Sequence, residues 1–212
     1  MLDSVEIKNI FTRSQAFIFD SHIIYTSGKH GKAYVNKDAL YPHTEATSLL
    51  CEQIAVHFQQ AKVEAVLAPA IGGIILSQWI AHHLTRLGKR EVLGVYAEKS
   101  TDPDGFVIKR GYDALIRNKK VLVVEDILTT GTSVKKVIEA ARKIPCEIVG
   151  VAALCNRGQI SASDLGNVPE LFSLLQVNLE TWEASDCPMC QLNIPINTAV
   201  GKGYLNSIPG PD

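Results

Sequence analysis

The residues with the clearest potential for chemistry lie in one short segment, 125–133. Two adjacent acids, Glu125 and Asp126, precede a small, hydroxyl-rich turn, and a helix is predicted to begin directly after that turn. Backbone N–H groups at a helix N-terminus, together with Thr and Ser hydroxyls, form a phosphate site that needs no lysine. The residues of the turn are Thr129, Thr130, Gly131, Thr132 and Ser133.

The two acids need a separate explanation, because carboxylates beside a phosphate repel an anionic ligand. They are accommodated if they face the ligand's hydroxyls, a developing cation or a bound Mg²⁺, and a phosphorylated ribose meets all three conditions. The structural alternative is a Thr or Ser that caps a helix after solvated acids, which is a common arrangement. The chain contains neither a Walker sequence nor a G-x-G-x-x-G dinucleotide fingerprint.

Alternating strands and helices are predicted to position this segment. Buried strands are expected at 63–68, 92–97, 121–124 and 147–154, with helices at 74–87 and 132–143. A helix at 44–60 precedes them and a strand at 171–177 follows. This order predicts an α/β fold: a doubly wound parallel sheet with helices on both faces. Ligands bind such a sheet at the carboxyl ends of its strands, so the loops there should converge on one crevice.

The N-terminal region has a different pattern. A first helix is expected after an Asp3 or Ser4 cap. Two β-rich runs, 17–25 and 34–40, flank a polar loop at 27–32 and predict a paired, extended hairpin.

Composition limits the classes of partner. With 21 basic and 22 acidic residues the formal charge is −1, so no diffuse positive field is available to hold nucleic acid or an anionic membrane. The longest uncharged run is interrupted by polar residues, Pro and Gly, which argues against a membrane span. The N-terminus lacks the pattern of a secretory signal, and the five cysteines are an odd number. We therefore expect a cytoplasmic protein in a reducing compartment.

Three segments carry a resemblance to a known family. VLVVEDILTTGTS resembles the phosphoribosyl-pyrophosphate motif of type I phosphoribosyltransferases. SHIIYTSGKHGKAYVNKDALYP resembles the base-binding segment of the members that use orotate, and LAPAIGGIILSQWIA resembles their pyrophosphate loop. The resemblance implies the type I phosphoribosyltransferase fold, with 1–212 as a single domain. Its core would span about 43–158, and a small hood would comprise about 1–42 plus part of the C-terminal tail.

The resemblance also implies roles for phosphoribosyl pyrophosphate. Glu125 and Asp126 would hold the ribose hydroxyls below the anomeric carbon, where their charge stabilises a developing cation. Lys99 would be the third catalytic residue and would neutralise the leaving group. The 5-phosphate would bind the turn at 129–133, and pyrophosphate would bind the turn after the first core strand. That second turn comprises Ala70, Ile71, Gly72 and Gly73, and Glu98 would also line the site.

For the base, the resemblance implies a loop of Ser27, Gly28 and Lys29, with Thr129 and Arg157 completing the site. Orotate is an anion, so a local Lys and a forked Arg are chemically suitable. Without the resemblance, the sequence would favour a solvated surface charge for Lys29 and an ordinary loop arginine for Arg157.

One departure concerns the mobile lid of the family. No basic residue lies between Lys99 and Lys109, and Glu98 stands where better-known members have Arg. The resemblance implies the activity of an orotate phosphoribosyltransferase in pyrimidine biosynthesis, with Mg²⁺ as a cofactor that would be held mainly through the substrate. We expect a homodimer whose other partners are the two small-molecule substrates. A purine phosphoribosyltransferase of this fold and a non-catalytic sensor of phosphoribosyl pyrophosphate are the alternatives.

The tail contains Cys187-Pro188-Met189-Cys190, which has half of the ligand spacing of a zinc ribbon. Tetrahedral zinc needs four ligands and the chain has no second C-x-x-C, so a metal-free turn is expected. A second subunit is the alternative source of the missing pair.

Overall fold

The computed structural model describes residues 1–25, 27–101 and 105–203. The chain divides into two compact units. The first comprises Met1–Ile7 and Thr44–Val177, and the second comprises Lys8–His43 and the chain from Asn178 onward. The core therefore continues to Val177 instead of ending near 158, because the strand after 170 belongs to it.

The strands and helices are numbered in chain order. The strands are β1 (Phe17–Ile18), β2 (Ile23–Ile24), β3 (His30–Gly31), β4 (Tyr34–Val35), β5 (Ala65–Pro69), β6 (Leu93–Lys99), β7 (Phe106–Val107), β8 (Lys120–Leu128), β9 (Glu147–Asn156), β10 (Leu171–Gln176) and β11 (Thr181–Trp182). The helices are α1 (Ser4–Arg13), α2 (Lys37–Leu40), α3 (Thr44–His57), α4 (Gly73–Gly88), α5 (Tyr112–Ile116), α6 (Thr132–Arg142) and α7 (Pro188–Gln191).

The first unit contains a six-stranded sheet in the order β10-β9-β8-β5-β6-β7. Neighbouring strands pair in parallel except β7, which runs antiparallel to β6. Alternate residues of the central strands, such as Leu67 and Val123, pack with the apolar side of α6. The residues between them, such as Val66 and Leu122, point to the other face and are also fully buried. Burial on both faces explains the continuous apolar runs, and the predicted parallel α/β sheet is confirmed.

The sheet order creates a switch point. From β5 the chain crosses through α4 to β6 on one side, and from β8 it crosses through α6 to β9 on the other. The loops that follow β5 and β8 therefore leave adjacent strands in opposite directions at the carboxyl edge of the sheet. Open α/β sheets bind ligands at this position.

The second unit contains the paired N-terminal strands. β1 pairs antiparallel with β4, as the hairpin prediction requires. β2 pairs antiparallel with β3, although His30–Gly31 lies in the segment predicted to be a polar loop, and β11 adds to the other side of β3. The predicted run at 34–40 is wrong beyond Val35, because Lys37–Leu40 forms α2.

Asp3 is the N-cap of α1, as predicted for Asp3 or Ser4, since its Oδ1 accepts hydrogen bonds from the N–H groups of Val5 and Glu6, each at 2.8 Å.

Within the described parts of the chain, no helix has the length and apolar character required to cross a membrane.

Candidate functional site

The acidic pair lies at the carboxyl edge of the sheet. β5 pairs with β8 only as far as Leu67 opposite Val123, whereas β9 continues to pair up to Leu128. Glu125 and Asp126 therefore lie beyond the end of the β5 pairing, yet they are only 9% and 4% exposed. Consecutive residues of a strand point to opposite faces, so the two carboxylates leave β8 on opposite sides.

The backbone orients both carboxylates. Glu125 Oε1 accepts a hydrogen bond from the N–H of Asp126 at 3.1 Å, and Asp126 Oδ1 accepts one from the N–H of Ile127 at 2.7 Å. Each acid thus accepts a hydrogen bond from the backbone N–H of the residue that follows it. Buried, preoriented carboxylates of this kind can stabilise positive charge in a ligand without rearrangement.

The hydroxyl-rich turn and the start of α6 form a pocket of about 180 Å³. Glu125 and residues 127–134 line it, so all five predicted phosphate-binding residues are brought together. Asp126 is not among the lining residues, which separates the roles of the two acids. The first N–H groups of a helix lack intrahelical acceptors and can bind an anion. Residues 132–134, the first of α6, line this pocket.

The conformation of this turn depends on Gly131. Gly131 precedes α6 in the left-handed region, with φ of 71°, and a Cβ there would lie 2.8 Å from Leu165 Cδ2. On either side, the Oγ1 atoms of Thr130 and Thr132 lie 2.9 Å apart. The hydroxyls of Thr130 and Thr132 are therefore held together at the N-terminus of α6.

The end of β9 is tied to the same turn. The N–H groups of Arg157 and Gly158 both donate to Leu128 O, at 2.8 and 3.0 Å. A Cβ on Gly158 would collide with Thr129 O, so the two loops are in close contact. The backbone of Arg157 is consequently fixed beside the phosphate turn, and its contact with the base stays a prediction.

Asn156 is a positioning residue that the sequence reasoning missed. It is buried, its amide donates to Ile160 O at 2.8 Å, and its Oδ1 accepts from the N–H of Ile160 at 3.0 Å. These two bonds close the loop that carries Arg157. The available signal was a polar side chain at the end of an otherwise apolar strand.

The turn after β5 supplies the predicted pyrophosphate residues. Ala70 donates its N–H to Ala97 O at 2.8 Å, the Ala70–Ile71 peptide is cis, and the Ile71 side chain is 84% exposed. Gly73 was expected to permit close approach of a ligand. Its position is instead explained by internal packing, because a Cβ there would lie 2.7 Å from the Cβ of buried Ala68.

The lid begins as a short hairpin of β6 and β7. Ser100 donates its N–H to Gly105 O at 3.0 Å, and Lys99 lies at the exposed end of β6. Arg110 donates two hydrogen bonds to Glu98 Oε1, at 2.8 and 2.7 Å, and this contact raises the pKa of Arg110. Glu98 thus holds a cation from its own chain. Part of the predicted lid, 102–104, lies outside the described residues.

The predicted base loop lies in the second unit, between β2 and β3. Gly28 has φ of 83° and donates its N–H to Tyr25 O at 2.9 Å, while Lys29 O accepts the N–H of Tyr25 at 2.9 Å. Lys29 Nζ lies 3.0 Å from Glu183 Oε1, and both side chains are substantially exposed. Solvent screens such a pair, so it is readily broken by a competing anion.

Comparison with known proteins identifies close relatives. The family model described as a phosphoribosyl transferase domain matches residues 38–186. An orotate phosphoribosyltransferase of Desulforamulus reducens is 36% identical over 190 residues, covering 90% of this chain and 93% of the relative. One from Thermotoga maritima is 34% identical over 203 residues, covering 93% and 98%.

A solved structure shares the fold. The orotate phosphoribosyltransferase of Mycobacterium tuberculosis, solved in complex with Fe(III) dicitrate, superposes with a TM-score of 0.65 at 20% identity. The similarity covers 83% of this chain and 97% of that chain.

Proposed function

Because the chain belongs to the phosphoribosyltransferase family, we propose that it is an orotate phosphoribosyltransferase, an enzyme of pyrimidine biosynthesis. It joins N1 of orotate to the ribose of phosphoribosyl pyrophosphate, forming orotidine 5′-monophosphate and releasing pyrophosphate. The observation that carries the proposal is the pocket of about 180 Å³ at the switch point, in which a buried carboxylate adjoins a hydroxyl-rich helix start. Relatives with this name match about nine-tenths of the chain.

The proposed reaction uses the two parts of the pocket differently. The turn at 129–133 and the first N–H groups of α6 hold the 5-phosphate, whose charge is the same before and after transfer. The C1–O bond breaks and its electron pair leaves with pyrophosphate, while N1 bonds to C1 and releases its proton to pyrophosphate or to solvent. Positive charge develops on the ribose during this exchange. We assign the stabilisation of that charge to both acids, Glu125 from the wall of the pocket and Asp126, a buried charge, from outside it. Backbone hydrogen bonds hold both in fixed positions, so they act chiefly in the transition state.

The chain also fits the proposed Mg²⁺ cofactor. Mg²⁺ prefers oxygen ligands and commonly binds through one or two carboxylates together with substrate phosphates. Glu125 lines the phosphate pocket and offers one such carboxylate. The other ligands would come from the substrate, so the ion would be held mainly through it. When bound, Mg²⁺ would supply positive charge that offsets the charge of pyrophosphate.

By the family resemblance we assign base recognition to Lys29, Thr129 and Arg157. The ammonium of Lys29 already holds a carboxylate, that of Glu183, and the carboxylate of orotate would replace it. Arg157 offers a planar fork on a backbone that is tied to β8.

Product formation with a panel of bases tests the proposal. Orotate, uracil, adenine, guanine and xanthine are each supplied with phosphoribosyl pyrophosphate and Mg²⁺, and pyrophosphate release is measured. We expect turnover with orotate. Turnover of a purine and none of orotate would contradict the proposed substrate, and binding of phosphoribosyl pyrophosphate without turnover of any base would favour a sensor.

We also propose a homodimer, which the family resemblance supports, and a subunit-mixing experiment tests its role in the site. Lys99→Ala and Asp126→Asn chains are inactivated by loss of different groups. If Lys99 serves the neighbouring subunit, mixing the two variants restores activity. A monomer by sedimentation would contradict the dimer.

A further inference from the structure

Four side chains from distant parts of the sequence converge in the second unit. They are His22, His30, Cys187 and Cys190, and their nitrogen and sulfur atoms all lie within 4.8 Å of one another. Three of them are buried and Cys190 is half-buried. The two histidines supply the pair of ligands that the C-x-x-C sequence alone lacked.

The distances suit a tetrahedral zinc ion. Zn–S bonds of about 2.3 Å and Zn–N bonds of about 2.0–2.1 Å place a nitrogen about 3.6 Å from a sulfur across a tetrahedron. His22 Nε2 lies 3.6 Å from the Sγ atoms of both Cys187 and Cys190. Cys190 Sγ lies 3.3 Å from His30 Nδ1. Two of the separations therefore have the required length before any rearrangement, and the third is about 0.3 Å shorter than it.

The separation between the two histidine nitrogens is shorter. His22 Nε2 and His30 Nδ1 lie 2.8 Å apart, which is the length of a hydrogen bond between two imidazoles. Two nitrogens bound to one zinc ion are about 3.3 Å apart, so the rings would separate by about 0.5 Å on binding. The alternative to a metal site is consequently a hydrogen-bonded histidine pair beside two thiols.

A supporting contact orients His22 as a ligand. Its Nδ1 lies 2.7 Å from Ile194 O, and only a protonated Nδ1 can donate to that carbonyl. The neutral ring then presents the lone pair of Nε2 to the cluster. Metal-binding histidines characteristically donate their other ring nitrogen to a carbonyl or carboxylate in this way.

We propose that His22, His30, Cys187 and Cys190 bind one structural Zn²⁺ ion. Two thiolates and two imidazoles form a donor set that selects zinc over the hard ion Mg²⁺. Four protein ligands fill the tetrahedron and leave no open position for substrate, so the ion has a structural role. It joins the strands β2 and β3 to α7 of the C-terminal segment.

The position of the ligands suggests what the ion stabilises. His30 directly follows Lys29, and His22 lies on the other side of the same hairpin, next to β2. The ion would therefore fix the ends of the loop that contains Ser27, Gly28 and Lys29. This consequence for orotate rests on the proposed function, whereas metal binding itself does not.

Metal content tests the site directly. The full chain is purified without chelators and under reducing conditions, and zinc is measured by elemental analysis. We expect about one zinc per chain, and near-complete loss from the Cys187→Ser and Cys190→Ser variants. Cys146→Ser is the matched control, because Cys146 belongs to the first unit and is not one of the four proposed ligands. The variants His22→Gln and His30→Gln should also lose zinc, and His82→Gln, in the first unit, is their control.

A spectroscopic measurement covers the case in which a ligand variant fails to fold. Zinc is removed from the wild-type chain by a chelator and replaced with Co²⁺. A tetrahedral cobalt spectrum with thiolate charge-transfer absorption is the expected result. Zinc-free protein that takes up neither Co²⁺ nor Zn²⁺ after reduction would overturn the proposal, as would full zinc content in a Cys187→Ser, Cys190→Ser double variant.

The effect on catalysis is measured separately. The chelated enzyme should have a higher KM for orotate, an almost unchanged KM for phosphoribosyl pyrophosphate and a lower Tm, all reversed by Zn²⁺. Bound zinc in a protein that does not use orotate would contradict the proposed function but not the metal site. Orotate turnover in a protein that cannot bind zinc would do the reverse.

Discussion

Replacing Asp126 with Asn separates the charge of this residue from its structural contact. Asp126 is 4% exposed, so solvent screens its charge weakly. Its Oδ1 accepts the N–H of Ile127 at 2.7 Å, and the amide oxygen of Asn can accept the same bond. The Asp126→Asn variant therefore removes the charge while preserving the anchor of the loop.

The expected loss follows from the proposed mechanism. Removing one preorganised electrostatic group costs about 3 kcal/mol of transition-state stabilisation, which is about a hundredfold in kcat. Asp126 does not line the phosphate pocket, so the KM for phosphoribosyl pyrophosphate should change much less. Because the hydrogen bond is retained, the free energy of unfolding should change by no more than about 1 kcal/mol.

Two further variants make the assay specific. Asp126→Ala also loses the bond to Ile127 and should lower the free energy of unfolding by about 1–3 kcal/mol. Thr132→Ala alters the phosphate pocket and should raise the KM for phosphoribosyl pyrophosphate while kcat is nearly unchanged, because the phosphate is equally charged throughout. Orotidine monophosphate formation and urea unfolding are measured for all three. Wild-type kcat in folded Asp126→Asn would refute the electrostatic role.

Two predictions concern other parts of the structure. Lys29→Ala should raise the KM for orotate by about tenfold, which is the low end of the effect expected for a charged hydrogen bond at an exposed site. Glu183→Gln should lower that KM, because it releases the Lys29 ammonium from its ion pair. If steady-state kinetics showed no change in either variant, Lys29 would not belong to the base site. Gly73→Ala should cost about 1–3 kcal/mol of stability in urea unfolding through its contact with Ala68, and adding Ala68→Gly should recover most of the loss. Failure to recover would show that packing is not the reason for glycine.

The parts of the site that are contiguous in sequence were predictable from sequence. The turn at 129–133 carries its own helix start, its own hydroxyls and the glycine needed before α6, so local chemistry determines it. The sheet was predictable for a related reason: strands buried on both faces are continuously apolar, and helices separate them regularly. Where the local preference changes within a run, as at Lys37–Leu40, the strand prediction failed.

The His and Cys cluster was not predictable from spacing. His22 and Cys190 are separated by 168 positions, and the two histidines do not form a recognised ligand motif. They come together because β2 pairs with β3, with Ile24 opposite His30, a register that is set by tertiary structure. The separation of Glu125 from Asp126 across the strand is likewise apparent only once the pairing of β8 is known.

The discontinuity of the second unit has a consequence for biosynthesis. Its first part, Lys8–His43, leaves the ribosome early, but β3 obtains its outer neighbour β11 only when residues 181–182 have been synthesised. The first unit is complete at Val177 and can fold while the tail is still being made. During translation the chain would therefore acquire its phosphate pocket first. The framework of the Lys29 loop would be completed only after residues 181–182 have been made.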